Sequence, residues 1–373
     1  MIVKSLCLKD FRNYSELKVD FSSGLNFIFG DNGQGKTNLI ESLFFSTHLK
    51  SFRTSKLETL CKNSCNSFWI TTELSKQGVD HKLDIIVIKG RKKVVLDNQF
   101  LSYSSDFIRN FFSLLFAPDQ LVLFKEYPKV RRAYFDRLLF LIDRQYHIWI
   151  KEFNRIKKQK CILLKQKNLE SLDIWNKMLS EVIPKITAAR NAIADKINQL
   201  LSNLLYELTD RPVELLLRYH SNLDGKVENV PSEINSFLEK RKERECEVGY
   251  LYYGPHKDDF WMSMGRNGDR HIFSQGEYRI SFLSLQLAVN QIIREEMKFR
   301  PILLLDDILS ELDERTSLKS IEYIAGKTNQ VFITSTSIPK RILHMGAAYS
   351  IRQGKIIGSF PEFAGENVTI ETG

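Results

Sequence analysis

The sequence predicts an α/β protein whose main domain is assembled from both ends of the chain, with a helical insertion lobe between them. Three regions with different patterns indicate this organisation. Residues 1–127 mix strand-like and helical patterns, whereas residues 128–245 contain almost no glycine and place apolar side chains at helical spacing. Residues 246–373 return to buried strand patterns, so we expect them to complete the domain that the first region begins.

The first region contains several strand-like runs and one clear helical run. The helical run, residues 38–49, follows shortly after a mainly apolar run that predicts a buried strand. A hairpin is expected across Gly90, because β-branched residues are frequent on both sides of it. The predicted strands are residues 2–8, 17–21, 25–29, 81–89 and 93–96.

The middle and last regions differ clearly from each other. Two helical runs are predicted in the middle region, residues 131–167 and 175–208, and Pro184 is expected to kink the second. In the last region, residues 301–305 and 330–334 are short and almost wholly apolar, which predicts two fully buried strands.

Composition and charge are typical of soluble globular proteins. Hydrophobic residues make up 43% of the chain and its net charge is +9, a basic excess that fits a polyanion partner without establishing one. Five scattered cysteines favour a reducing compartment, and Cys61 and Cys65 lack the second pair of a zinc site. The sequence has neither a signal peptide nor an apolar run of roughly 20 residues, so we expect a cytoplasmic protein with no membrane partner.

A glycine-rich segment between the predicted strand 25–29 and helix 38–49 matches the phosphate-loop pattern G-x4-G-K-[ST]. Glycines let the backbone turn so that its N–H groups face phosphate oxygens where a helix begins. Lys36 is expected to reach the β- and γ-phosphates of ATP, and the Thr37 hydroxyl to ligate Mg²⁺. The predicted ATP-binding residues are Gly30, Asp31, Asn32, Gly33, Gln34, Gly35, Lys36 and Thr37.

Two aspartates follow the predicted buried strand 301–305. A strand of this kind places the side chains after it at the carboxyl edge of a sheet, where phosphates bind in open α/β folds. We expect Asp306 to hold Mg²⁺, directly or through water. Asp307 is the predicted catalytic residue, because a carboxylate there could orient or activate the attacking water.

A third motif, Ser274-Gln275-Gly276-Glu277, precedes a predicted amphipathic helix. A Ser-x-Gly segment that opens a helix is an anion-binding arrangement, although the signal is weak alone. Its position between the phosphate loop and the acidic strand resembles the order of motifs in ABC-type ATPases. That resemblance implies that Ser274, Gln275 and Gly276 of one subunit close over the ATP of a second, in an ATP-dependent homodimer.

The long helical insert resembles the ATPase heads of the SMC and Rad50-like class more than transporter subunits, which keep a shorter subdomain there. Several local runs are more specific, at residues 8–14, 30–37, 51–54, 116–121, 131–136, 254–259, 303–307 and 310–313. They resemble one family, RecF, the bacterial recombination and gap-repair ATPases, and they follow the family's order along nearly the whole chain.

The RecF resemblance implies an ATP-dependent dimeric clamp on single-stranded or gapped DNA. Such a clamp supports recombinase loading, recombinational gap repair and the SOS response, with recombination mediators of the RecR and RecO type as partners. Weak, DNA-stimulated ATP hydrolysis is expected to reset it as a switch. Residues 334–337 are all Ser or Thr where many ABC-type ATPases have a histidine, which also favours slow hydrolysis.

Three parts of the chain limit what the resemblance can transfer. Glu277 stands where the family usually has Gln, which leaves open how that position contacts the dimer partner. Residues 128–245 match the family in helical character more than in sequence, so DNA and partner contacts cannot be assigned there. The resemblance makes residues 256–259, His-Lys-Asp-Asp, a functional element, whereas the residues alone also fit a turn with a satisfied histidine.

Basic clusters give candidate DNA contacts, because Lys and Arg bind phosphates without reading sequence. Each cluster alone is more typical of a solvated surface. The cluster at the predicted hairpin tip is the easiest for DNA to reach, and the last cluster alternates with acids, as a solvated helix face does. The clusters are residues 89–93, 131–132, 157–160 and 239–242.

Two other classes of ATPase remain as alternatives. A transporter motor subunit would carry a shorter helical subdomain and features that couple it to a membrane protein. A nuclease-associated ATPase would need a further acidic metal-binding domain, and the residues after Asp313 are too few to form one. Both alternatives fit the sequence less well than a RecF-like clamp.

Overall fold

The computed structural model describes residues 1–63, 65–101, 104–118, 127–167, 171–223, 225, 228–265, 273–307, 312–327, 330–338 and 340–360. The chain divides into two compact units. The first contains Met1–Leu121, Glu207–Asp210 and Phe273–Gly373, and the second contains Val122–Tyr206 and Arg211–Ile272. Within the described ranges, no helix is both long and apolar enough to cross a membrane.

The strands of both units are numbered together in chain order. They are β1 (Ile2–Phe11), β2 (Tyr14–Asp20), β3 (Leu25–Phe29), β4 (Ser67–Lys76), β5 (Val79–Ile88), β6 (Arg91–Leu96), β7 (Gln99–Phe100), β8 (Ser113–Phe116), β9 (Leu215–His220), β10 (Asp259–Met264), β11 (Ile302–Leu305), β12 (Val331–Ser335), β13 (Gly346–Arg352) and β14 (Lys355–Phe360). The first unit holds an antiparallel sheet, β2-β1-β4-β5-β6-β7, and a mainly parallel sheet, β14-β13-β3-β12-β11-β8. In the second unit, β9 and β10 form an antiparallel pair.

The helices follow the same numbering. They are α1 (Lys36–His48), α2 (Ser104–Asn110), α3 (Pro128–Ile142), α4 (Arg144–Lys165), α5 (Leu172–Thr209), α6 (Pro231–Glu239), α7 (Lys242–Val248), α8 (Gln275–Met297), α9 (Glu314–Lys327) and α10 (Lys340–Leu343), with short 3₁₀ helices at Leu57–Leu60 and Pro255–Lys257. Helix α1 packs against β4 of the antiparallel sheet and against β8, β11 and β12 of the parallel sheet. It is therefore buried over nearly its whole surface, which fixes the loop that precedes it.

The predicted fold class is confirmed, because strands from both ends of the chain share one sheet. β3 lies in the middle of the parallel sheet, paired with β12 on one side and β13 on the other. Gln330 adds a link between the sheets: its side chain accepts from the Val3 N–H and donates to the Val3 carbonyl, both at 2.7 Å. The expected strand at 25–29 has the observed bounds, and the hairpin across Gly90 is formed by β5 and β6.

The helical run predicted at 131–167 is two helices instead of one. Asp143 separates α3 from α4 in an extended conformation, with φ −127° and ψ 114°. Its side chain accepts a hydrogen bond from the Gln145 N–H at 2.8 Å and so caps α4. Helix α5 continues through Pro184, which lies within its bounds.

The helical unit extends beyond residue 245, where the sequence placed its end. β10, residues 259–264, pairs with β9 and packs against α3, so it belongs with the helices. The sequence reading missed β9 because a single strand among long helices gives little periodic signal. Residues 207–210, at the end of α5, belong to the first unit.

A buried ion-pair network holds the second unit together. Arg190 is 2% exposed and donates to Asp258 at 2.7 Å and to Asp136 at 2.9 Å. Arg131 forms a two-bonded pair with Asp259, at 2.8 and 2.9 Å. Helices α3 and α5, strand β10 and the turn before it supply these groups, so the network fixes their relative positions inside the unit.

Replacing Arg190 with Met is expected to destabilise the second unit by about 3–5 kcal/mol, because it leaves Asp258 buried without its countercharge. Urea unfolding followed by tryptophan fluorescence measures this, since Trp149, Trp175 and Trp261 all lie in that unit. The matched control is Arg155→Met at an exposed position of α4, which is expected to change the midpoint little. Equal midpoints for the two variants would contradict a structural role for the network.

Candidate nucleotide site

A cavity of about 350 Å³ in the first unit contains both acidic and phosphate-loop residues. It lies where β3, β11 and β12 end, and these strands are parallel neighbours in the sheet. Side chains that follow parallel strands meet at this edge, which is the usual ligand position in open α/β sheets. The lining residues are Asn32, Gly33, Gly35, Lys36, Thr37, Asn38, Arg53, Asp306, Asp307 and Thr334.

The phosphate loop turns from β3 into α1 in a conformation that requires glycine at two positions. Gly30 has a φ of 146°, and a Cβ there would lie 2.3 Å from the Ile351 carbonyl oxygen. Gly35 has a φ of 116°, and a Cβ there would lie 2.5 Å from the Asn13 side chain. Gly35 is also the N-cap of α1, and no side chain caps this helix. The first N–H groups of α1 have no partner within the helix and can therefore face an anion.

Lys36 opens α1, and its side chain folds back over the loop. The residue is 7% exposed, and its ammonium donates to the carbonyl oxygens of Gly30 at 2.7 Å and Asp31 at 2.9 Å. Burial lowers the pKa of Lys36, and the nearby Asp307 and Asp306 partly oppose that shift. Since its hydrogen bonds are to neutral carbonyls, an anion entering the cavity would favour the charged ammonium.

Thr37 and Asp306 meet as the sequence predicts, and Thr334 joins them. The Thr37 hydroxyl donates to Asp306 Oδ1 at 3.1 Å, and the Thr334 hydroxyl donates to the same oxygen at 2.6 Å. Asp306 is 4% exposed, and burial raises the pKa of its carboxyl. Asp307 follows in the left-handed region, with a φ of 55°, and its N–H donates to the Thr334 hydroxyl at 2.8 Å. Thr334 therefore links the Asp306 carboxylate to the backbone of Asp307.

Two hairpin turns brace the phosphate loop, and the sequence reading assigned no such role to either. Asn13 donates to the Gln34 carbonyl at 3.0 Å, and the Tyr14 hydroxyl donates to the Gly35 carbonyl at 2.9 Å. From the turn between β13 and β14, the Gly354 N–H also donates to the Gln34 carbonyl at 3.0 Å. Asn13 and Tyr14 both lie in the run 8–14, whose resemblance to the RecF family is the signal that the sequence offers for this role.

A second set of missed residues surrounds Glu41, a fully buried carboxylate on α1. Arg12 binds both of its oxygens at 2.8 Å, and the Ser51 hydroxyl also donates to it. Arg53 lies 3.8 Å from the same carboxylate and donates to Asn38 at 3.1 Å. Since Arg53 also lines the cavity, it adds a positive charge opposite the two aspartates.

The serine motif forms the start of α8 and is not among the residues that line the cavity. Ser274 is the N-cap: its hydroxyl accepts from the Glu277 N–H at 3.3 Å, and the Glu277 carboxylate accepts from the Ser274 N–H at 2.8 Å. This capping box gives Glu277 a role inside its own chain. Gln275 and Gly276 are exposed, as is Ser274.

Two further motifs are predicted to be functional, and none of their described residues lines the cavity. Ser310 and Glu311 lie outside the described residues, whereas Asp313 caps α9 by accepting from the Thr316 N–H at 3.0 Å. The run 256–259 belongs to the second unit, where both of its aspartates are buried in ion pairs. His256 Nε2 donates to the Leu251 carbonyl at 3.0 Å, and burial lowers the pKa of this imidazole to about 4.

The basic clusters are partly structural. Arg131 is buried in its pair with Asp259, and Lys160 is fully buried against Glu245 at 2.6 Å. Neither residue can reach DNA in this fold. The sequence could not separate these positions from exposed ones, because the partners lie far away in the chain.

The phosphate loop and the acidic strand end lie at one edge of a parallel sheet built from both ends of the chain. Together these features define a phosphate-loop ATPase head of the RecF/RecN/SMC class. The sequence matches the RecF/RecN/SMC N terminal domain family over residues 2–353. An SMC head bound to a domain of ScpA matches with a TM-score of 0.59 at 15% identity and shows the fold alone.

Similar proteins identify which family of the RecF/RecN/SMC class this chain belongs to. The chain is 33% identical to the DNA replication and repair protein RecF of Clostridium acetobutylicum, covering 91% of this chain and 93% of that protein. It is 32% identical to the RecF of Clostridium botulinum, covering 95% and 99%. A solved structure of the recombination mediator protein RecF with ATP, from the RecFOR pathway, has a TM-score of 0.82 at 27% identity and covers 96% and 99%. The chain belongs to the RecF family of DNA replication and repair proteins, which confirms the resemblance inferred from its motifs.

Proposed function

We propose that this protein binds ATP with Mg²⁺ in the cavity at the phosphate loop and closes as a dimeric clamp on single-stranded or gapped DNA. The observation that carries the proposal is the cavity itself, which brings Lys36, Thr37, Asp306 and Asp307 together. The ATP in a solved RecF relative supports the choice of nucleotide. In the cell, the clamp supports recombinase loading, recombinational gap repair and the SOS response, with mediators of the RecR and RecO type.

The residues present fit a magnesium nucleotide. The Thr37 hydroxyl and the Asp306 carboxylate are 3.1 Å apart, and both offer the oxygen ligands that Mg²⁺ prefers. When bound, the ion would neutralise charge on the β- and γ-phosphates. The N–H groups at the start of α1 and the Lys36 ammonium bind and orient the phosphate oxygens, while Arg53 adds a further cation.

Asp307 is the proposed catalytic residue. Its carboxylate orients the attacking water and accepts a proton from it. The positive φ of Asp307 is a strained conformation for a non-glycine residue, which is a common feature of functional positions. Hydrolysis is slow because residues 334–337 offer only hydroxyls where many ABC-type ATPases have a histidine, and the Thr334 hydroxyl is already hydrogen-bonded to Asp306 and to the Asp307 N–H.

The serine motif closes over the nucleotide of a second copy. Gly276 supports this, because a Cβ added there meets nothing within 4 Å inside its own chain. Glycine is a poor helix former, and no contact inside the monomer gives a packing reason for a glycine in the first turn of α8. An approaching second copy supplies one, since glycine lets the backbone come close to a phosphate.

A Gly276→Leu substitution is expected to abolish ATP-dependent dimerisation while leaving folding and ATP binding by the monomer unchanged, because its side chain enters open space in the monomer. Sedimentation velocity with and without ATP and Mg²⁺ measures this. The wild type is expected to shift from monomer to dimer on adding ATP, and to bind single-stranded and gapped DNA more tightly at the same time.

Gly326→Leu is the matched control. Gly326 is also an exposed helical glycine with nothing near its Cβ position, but it lies on α9. This variant is expected to dimerise and bind DNA as the wild type does. Dimers of Gly276→Leu at wild-type strength, or DNA binding by the wild type that ignores ATP, would contradict the clamp.

A further inference from the structure

Two exposed tyrosines form an aromatic surface on the second unit. Tyr250 is 43% exposed and Tyr252 is 38% exposed, and their ring centroids lie 6.2 Å apart with 27° between the planes. The Lys257 ammonium lies over both rings, 5.6 Å from the first centroid and 5.9 Å from the second. Two large aromatic side chains that stay exposed beside a shared lysine indicate a surface for binding a ligand rather than for packing within the unit.

The segment that carries these rings is fixed to the interior of its unit. The Tyr252 N–H donates to the buried Glu245 carboxylate at 2.9 Å, and Glu245 pairs with the buried Lys160. The His256 ring donates to the Leu251 carbonyl, which ties the two ends of the segment to each other. The backbone that carries Tyr252 is therefore fixed before any ligand arrives, which lowers the entropic cost of binding.

Positive charge continues beside the rings. The Arg244 guanidinium lies 5.9 Å from the Tyr252 ring. Next to Lys257 in the chain, Pro255 and His256 line a cavity of about 340 Å³ in the same unit. Lys129, Arg132 and Lys157 contribute to its walls, and Asp136, an acid that also lines it, is already paired with Arg190.

We propose that the tyrosine surface, residues 250–257 with Arg244, binds an unpaired segment of DNA. Bases stack on Tyr250 and Tyr252, and phosphates lie against Lys257 and the cations of the neighbouring cavity. Exposed aromatic rings interleaved with basic side chains are the common design for single-stranded nucleic acid, and stacking needs base faces that a duplex does not offer. The inference rests on the proposed DNA-binding function and adds to it a place and a strand type.

The test is fluorescence anisotropy of the full-length protein with a labelled oligothymidylate, an abasic strand of equal length and a duplex. The double variant Tyr250→Ala with Tyr252→Ala is expected to bind the oligothymidylate about tenfold more weakly or worse, since each stacked base contributes to affinity. Its binding to the abasic strand and to the duplex is expected to stay within about twofold of the wild type. Lys257→Gln is expected to reduce the slope of log affinity against log salt by about 0.7, which corresponds to one lost phosphate contact.

Matched controls separate stacking from folding. The double variant Tyr250→Phe with Tyr252→Phe keeps both rings and is expected to retain wild-type affinity. Tyr206→Ala removes another exposed tyrosine of the second unit, 51% exposed, and is also expected to leave affinity unchanged.

The outcomes distinguish this inference from the proposed function. Undiminished binding of oligothymidylate by the Ala variant would overturn the tyrosine surface alone. An equal loss for the abasic strand and the duplex would also overturn it, because stacking would not be the cause. Failure of the wild type to bind any of the DNAs, with or without ATP, would overturn the DNA-binding function itself.

Discussion

Replacing Lys36 with Met is expected to weaken ATP binding roughly thirtyfold or more. The substitution removes the buried ammonium that would pair with the ATP phosphates. Losing one partner of a buried charge pair costs about 2–5 kcal/mol. Titration calorimetry with ATP and Mg²⁺ measures the affinity directly. Since the variant binds ATP so weakly, it is also expected to stay monomeric at ATP concentrations that saturate the wild type.

Lys18→Met is the matched control, because Lys18 is an exposed lysine on β2 of the same unit. It is expected to bind ATP as the wild type does. Thermal melting of both variants checks the fold, since the Lys36 ammonium also satisfies the carbonyls of Gly30 and Asp31. An affinity for ATP that survives Lys36→Met would mean that the cavity is not the nucleotide site.

Replacing Asp307 with Asn is expected to slow ATP hydrolysis by about 10²–10⁴-fold without weakening ATP binding. The amide cannot accept the proton of the attacking water. Asn tolerates the left-handed conformation that residue 307 adopts, so the backbone need not move. Single-turnover release of phosphate, beside an equilibrium measurement of affinity, separates the chemical step from binding.

The Asp307→Asn variant is also expected to persist as a dimer once ATP has closed it. Asp306→Asn provides the contrast, because loss of that carboxylate is expected to raise the Mg²⁺ concentration that nucleotide binding needs. Wild-type turnover by Asp307→Asn would exclude Asp307 as the catalytic residue. Rapid turnover by the wild type itself, at the rate of a transporter motor, would contradict the switch.

The nucleotide site was largely predictable from the sequence because its main parts are local. A phosphate loop is contiguous, and its glycines, Lys36 and Thr37 act through positions fixed by one strand, one turn and one helix. The acidic strand end could be added because parallel strands share an edge. The contacts around these residues were not predictable. Arg53 reaches the cavity from a segment with no contiguous pattern linking it to the loop, and the sequence placed Thr334 near the nucleotide without indicating its bonds to the two aspartates.

The second unit was much less predictable from the sequence than the nucleotide site. Its helices were visible as stripes of apolar residues, but β9 and β10 were missed, and their pairing moved the boundary of the unit. Glu277 is a related case, since a residue that departs from the family pattern proves to complete a capping box in its own chain. A sequence comparison records the departure, and only the structure gives its physical effect.

The sequence by itself predicted the fold class, the phosphate loop, the two aspartates and membership of the RecF family, because each depends on local residue patterns and on their order along the chain. The tertiary structure alone decided which charged residues are available to ligands. Arg131 and Asp259 are 128 positions apart, yet they neutralise each other in the interior. Lys257, one position from His256, remains exposed over two tyrosines. Whether a basic side chain is buried depends on contacts between segments that are distant in the chain. Its availability to a ligand therefore follows from partners that the local sequence does not show.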